Sequence, residues 1–210
     1  MARRSKWPRV IGLGCLGVLV VGALVCVVYP GSSPSLPEEV HVPPSNVLVI
    51  YYSRTGTTAT LGRAIAEASG ADLVPIEDTV DRRGPFGFLR SIVDAARKSR
   101  SPIRPLRVDP SRYELVLIGT PVWGSATAAP VRAFFEDHRA QLPERVGFFL
   151  TDGHSSHDAV FRDMAALSGR EPVARLGLAH DDVVQGRYAD AVAAFVRSLP
   201  VTGSPAVAQE

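Results

Sequence analysis

Residues 53–58 read Ser53-Arg54-Thr55-Gly56-Thr57-Thr58, which sets four hydroxyls around a single glycine. An apolar run, Val47-Leu48-Val49-Ile50-Tyr51-Tyr52, comes directly before, and Leu61, Ala64, Ile65 and Ala68 follow at helical spacing. A strand that feeds a hydroxyl-rich turn at a helix start can hold an anion. The first N–H groups of a helix have no intrahelical partner, and the helix dipole favours negative charge there. The turn lacks the Gly-Lys-Ser/Thr ending of a nucleoside-triphosphate loop and the G-x-G-x-x-G of a dinucleotide loop. With no lysine in it, amides and hydroxyls must do the binding, which suits a phosphate monoester that is held and not transferred. The plainer reading is an ordinary helix cap, which needs only one such side chain.

Two further stretches have unusual composition. Thr120-Pro121-Val122-Trp123-Gly124-Ser125 follows the apolar run Glu114–Gly119, and Thr151-Asp152-Gly153-His154 follows Arg145–Leu150. His154 is a candidate proton donor, with a solvated loop histidine as the plainer alternative. His154 and His157 stand three apart, but no third ligand accompanies them, so no metal site is expected.

These stretches need a scaffold. The apolar segments at 47–52, 71–76, 114–119, 145–150 and 173–178 read as strands. Helical patterns lie after residue 58 and at 86–96, 130–138, 159–167 and 188–199; Pro130 suits a first helical position and Gly169 a helix end. Strands alternating with helices predict a doubly wound α/β fold with a five-stranded parallel sheet. In such a sheet ligands gather beyond the carboxyl ends of the strands, where all three stretches would open.

The pattern S/T-x-T-G-x-T after a first strand resembles the phosphate-binding loop of flavodoxins, and Gly119-Thr120-Pro121-Val122-Trp123-Gly124 resembles that family's second flavin loop. The similarity is greatest to short prokaryotic flavodoxin-like proteins that carry I-E-D, a Phe/Gly-containing helix and then G-T-P-V-W. Here these are Ile76-Glu77-Asp78, Phe86-Gly87-Phe88-Leu89 and the loop just named. The resemblance spans residues 46–199. It implies strand order 2-1-3-4-5 and non-covalent FMN. The phosphate would sit on Ser53, Arg54, Thr55, Gly56, Thr57 and Thr58, and the ring between Thr120, Pro121, Val122, Trp123, Gly124, Ser125 and Thr151, Asp152, Gly153. The third loop departs from the family's usual T-S-G-G-S-G. Phe86 and Phe88 either help to cover the flavin or belong to the core. The resemblance further implies electron transfer, as a carrier for a redox partner protein or as a small reductase using NAD(P)H and a quinone. The alternative is a flavin-free interaction module on the same fold.

The amino-terminal part has a different composition. Arg3, Arg4, Lys6 and Arg9 lie in a basic flank, residues 1–9, and no charged residue occurs from Val10 to Val28. That run is long enough for a single transmembrane helix, and positive-inside asymmetry would keep the N-terminus cytoplasmic and the domain on the other side. A match to G-x-G-x-x-G at Gly12–Gly17 has no strand before it and reads as membrane glycine. The only cysteines, Cys15 and Cys26, are in this run. A Pro-rich linker (29–45) joins it to the domain (46–199), and 200–210 reads as a tail. Setting aside those four basic residues and Glu38 and Glu39, the totals of 23 basic and 21 acidic residues balance. A neutral domain gives no ground for nucleic-acid binding.

Overall fold

Val47–Tyr51 forms β1 with every residue buried, as its unbroken apolar sequence requires of a strand covered on both faces. The computed structural model describes residues 45–82, 84–153 and 157–200. The expected basic flank, the anchor at 10–28, the linker as far as residue 44 and the tail from residue 201 lie outside them. Among the described residues, no helix is long and apolar enough to cross a membrane.

The strand β1 pairs in parallel with β2 (Asp72–Pro75) on one side and with β3 (Leu115–Trp123) on the other. Next come β5 (Arg145–Asp152) and β6 (Pro172–Ala179), also parallel, which gives the order β2-β1-β3-β5-β6. The five parallel strands, taken in chain order, have the expected order 2-1-3-4-5. One short strand was not expected: β4 (Ala126–Thr127) runs antiparallel to the end of β3.

Helices cover both faces. They are α1 (Thr57–Ser69), α2 (Gly84–Ala96), α3 (Ala129–His138), α4 (His157–Ser168), α5 (His180–Val184) and α6 (Ala189–Arg197). Alternation along the strands divides the core in two. Leu48, Ile50, Val116, Ile118, Phe148 and Leu150 pack with Val131, Phe134 and Phe135 of α3 and Val160 and Met164 of α4. Val49, Tyr51, Leu115, Leu117 and Phe149 face the other way, onto Leu61 and Ile65 of α1 and Val192 and Phe195 of α6. Burying each large apolar side chain contributes about 1.5–3 kcal/mol.

Several boundaries differ from the sequence reading; β5, for one, runs on through Thr151 and Asp152, which were expected in the loop after it. The strand β3 does not end at Gly119 but continues to Trp123, because β4 folds back and supplies it with a ladder partner. A short helix, α5, precedes the last one and was not expected. Gly119 is needed for packing. A Cβ there would lie 2.2 Å from Cζ of Phe149, whose side chain is fully buried. Gly119→Ala is therefore expected to lower stability by about 1–3 kcal/mol through overpacking. An unchanged urea midpoint would show that Phe149 moves aside without cost.

Candidate functional site

The turn after β1 is built by its own hydroxyls and its glycine. The Ser53 hydroxyl accepts a hydrogen bond from Gly56 N–H at 3.1 Å, which folds the chain back. Gly56 then takes φ 96°, a left-handed conformation that strains any residue with a Cβ. The first backbone bond of α1 runs from Thr60 N–H to Gly56 C=O at 2.9 Å, so the N–H groups of Thr57, Thr58 and Ala59 precede the helical ladder. No side chain caps this helix, and its first turn has no acidic residue. Ordinary capping therefore does not explain the hydroxyls. An uncapped helix start with Thr57 and Thr58 buried in it is what an anionic group needs, and the residues fit a phosphate.

Side chains from two other strand ends reach this turn. Thr58 Oγ1 lies 2.7 Å from Thr151 Oγ1, a buried pair that ties the end of β5 to the turn. Thr57 Oγ1 lies 2.9 Å from His180 Nδ1, from the start of α5 just beyond β6. A cavity of about 420 Å³ opens beside them, lined by Thr55, Gly56, Thr57, Thr60, His180 and Tyr188 among others. Sequence reading missed His180. The signal was its place after an apolar strand of the same parallel sheet, whose carboxyl end opens on the same edge.

Thr120–Ser125 is a hairpin and not an irregular loop. Gly124 and Ser125 have φ 54° and 62°, the positive pair of a tight turn that matches the twist of the strands it joins. Thr120 Oγ1 accepts from Ala128 N–H at 3.1 Å and donates to Pro121 C=O at 3.0 Å, bracing the hairpin at its base. Gly124 and Ser125 are exposed, whereas the Trp123 indole is buried. The Arg82 guanidinium lies 5.1 Å over the indole, and the Tyr52 ring meets it edge-on at 5.6 Å. Burial, and then the nearby charge of Asp78, push the Tyr52 hydroxyl's pKa well above the usual tyrosine value, so it stays protonated.

Arg82 is itself held from three sides. It is ion-paired to Asp78, donates to Ser101 Oγ at 3.0 Å, and has Asp94 Oδ2 at 2.8 Å from Nη1 as an ion contact that is not an aligned hydrogen bond. Ser101 in turn donates to Asp78 at 2.7 Å. The sequence shows this arginine only as one charge in an acidic and basic cluster.

At the end of β5, the Asp152 carboxylate is buried and pairs with His157 Nε2 at 3.1 Å. The His157 ring lies so close to Gly177 that a Cβ there would meet Nδ1 at 2.3 Å. His154 lies outside the described residues, so His157 is the imidazole that the structure places at this loop. Among the described residues, no group of three His, Cys, Asp or Glu side chains could hold a metal ion. The turn at 53–58, the hairpin at 120–125 and residues 151–153 thus all stand at the carboxyl edge of adjacent strands β1, β3 and β5.

Known proteins with this architecture include a flavoprotein from Lactobacillus acidophilus solved in complex with FMN. It is 19% identical, with a TM-score of 0.56 over 68% of this chain and 98% of that one. A protein from Bacteroides uniformis, named as a flavoprotein, has a TM-score of 0.59 at 22% identity over 73% of this chain and 98% of its own. Another from Bacteroides eggerthii, also so named, has a TM-score of 0.55 at 25% identity over 71% and 99%. No curated protein matches the chain. A family model described as flavodoxin matches residues 46–174, more than half of the sequence and inclusive of all three site segments; the chain belongs to the flavodoxin family.

Proposed function

We propose that the chain binds FMN without a covalent link at the carboxyl edge of its sheet and acts in electron transfer. The uncapped start of α1, with three N–H groups ahead of the ladder and buried threonines around them, is the observation that carries this reading. The N–H groups of 57–59 and the hydroxyls of Ser53, Thr55 and Thr58 would hold the phosphate, and the hairpin at 120–125 and the end of β5 would flank the ring. When bound, FMN supplies one- and two-electron redox chemistry, and the protein determines its exposure and potential.

The chain's own groups bias that potential. Arg54 is the one lysine or arginine within the three segments. Arg82, beneath the hairpin, is balanced by the carboxylates of Asp78 and Asp94. Asp152 adds negative charge at the end of β5. Added electron density on the flavin is thus poorly compensated, and a potential below that of free FMN is expected in a potentiometric titration. A value at or above that of free FMN would contradict this balance of charges.

The partners follow two alternatives. As a carrier, the protein would exchange electrons with a redox protein; as a small reductase, it would take hydride from NAD(P)H and reduce a quinone. Steady-state turnover of NADPH with a soluble quinone by FMN-loaded protein separates them, since a carrier shows no turnover beyond the flavin present. Residues 10–28 would tether the domain to a membrane with the N-terminus in the cytoplasm, a reading that rests on the apolar run and the basic flank. Protease protection in sealed vesicles tests that sidedness.

A further inference from the structure

The helix α2 is amphipathic in the wrong sense for a core helix. Among the described residues, Phe86 is 86% exposed, Leu89 57%, Ile92 41% and Val93 37%. At 3.6 residues per turn these four share an arc of about 120°, a continuous apolar stripe. Gly87 and Ser91, both small, are buried on the packed side. A Cβ on Gly87 would lie 2.1 Å from the Arg82 carbonyl carbon, and the buried Ser91 turns its hydroxyl back to Gly87 C=O at 2.8 Å. The backbone therefore seats closely on the domain at Gly87 while Phe86, Leu89, Ile92 and Val93 point to water. An exposed stripe of this kind calls for a partner.

Charge identifies the partner's chemistry. Arg90 and Arg97 border the Phe86 side of the stripe, and Lys98 follows at the helix end; all three are exposed. Asp94, the one acidic residue between 84 and 100, is turned inward to Arg82 at 2.8 Å and lies 4.0 Å from Arg90. An apolar stripe edged by cations matches the boundary between acyl chains and anionic headgroups. A second copy docked face to face with its helix antiparallel would bring Arg90, Arg97 and Lys98 to the same edge as their counterparts, which disfavours that two-fold dimer. The apolar run at 10–28 supplies an independent reason to expect a bilayer nearby.

We infer that α2 is a membrane-surface helix, which lays Phe86, Leu89, Ile92 and Val93 into an anionic leaflet with Arg90, Arg97 and Lys98 at headgroup level. This requires neither bound flavin nor the expected anchor. The helix packs beside β3 and β4, so the docked face lies next to the hairpin at 120–125.

Flotation of residues 45–200 with lipid vesicles tests it. That stretch holds the described residues of the domain, with the whole sheet and both core clusters, and leaves out the apolar run. Vesicles of phosphatidylcholine alone are compared with vesicles containing about one third phosphatidylserine. Partitioning is expected to rise about tenfold or more with phosphatidylserine. It should fall about tenfold or more in Phe86→Ser/Leu89→Ser, whose exposed sites leave the thermal midpoint unchanged. Arg90→Glu/Lys98→Glu should remove the dependence on phosphatidylserine while leaving the fold intact. Absence of flotation with either vesicle would overturn the inference, as would flotation that ignores the serine pair. Concentration-dependent dimers abolished by the serine pair, without vesicle binding, would assign the face to a second copy instead.

Discussion

Arg82→Met is expected to destabilise the domain by about 3–5 kcal/mol, the usual cost of removing one partner from a buried charge cluster. The Asp78 side chain is 5% exposed and would keep only the Ser101 hydroxyl and the Val80 N–H as donors. Asp94 would lose its closest cation, and Trp123 the guanidinium over its ring. Chemical denaturation reads the loss directly. Because α2 and the hairpin lean on this cluster, near-UV circular dichroism of Trp123 should change as well. A variant that melts with the parent would mean that the carboxylates are solvated or protonated at little cost.

Thr58→Val removes one hydroxyl with almost no change of shape, and FMN affinity is expected to fall about tenfold to hundredfold. A hydrogen bond to a charged group contributes about 1.5–3 kcal/mol. Thr58 is 1% exposed and its partner Thr151 also loses a bond, so some destabilisation accompanies the loss. The effect on the phosphate is isolated by comparing FMN with riboflavin: only the FMN affinity should drop. An equal loss for both ligands would place Thr58 away from the phosphate.

Much of this architecture was legible because burial on both faces leaves a plain mark. The strands β1, β3 and β5 are apolar enough to stand out, and Gly56 and Gly169 punctuate where the helix turns require them. What stayed hidden depended on contacts made across the fold. Gly124-Ser125 is only a faint hairpin signal, because the returning strand is just Ala126–Thr127 and the turn needs a positive φ at Ser125 as well. Arg82 reads as one charge among Asp81, Arg82 and Arg83 until the fold brings Asp78, Asp94 and Ser101 around it. Phe86, Leu89, Ile92 and Val93 have the spacing of a core-facing helix, but periodicity gives the stripe and not its direction. The close seat of Gly87 and Ser91 turned it outward. The basic residues after α2 are in part structural: Arg100 pairs with Glu136 and Asp137, and Arg104 and Arg107 approach Glu77.

The claim that the start of α1 holds the phosphate of FMN is tested most directly by titrating residues 45–200 with FMN and with riboflavin, following flavin fluorescence and the visible spectrum. Saturable quenching by FMN with at least about tenfold weaker binding of riboflavin is the predicted result, since riboflavin lacks the group that the turn is built to hold. Equal affinity for the two would contradict the phosphate site, and absence of binding by well-folded protein would mean that this flavodoxin fold serves without its flavin.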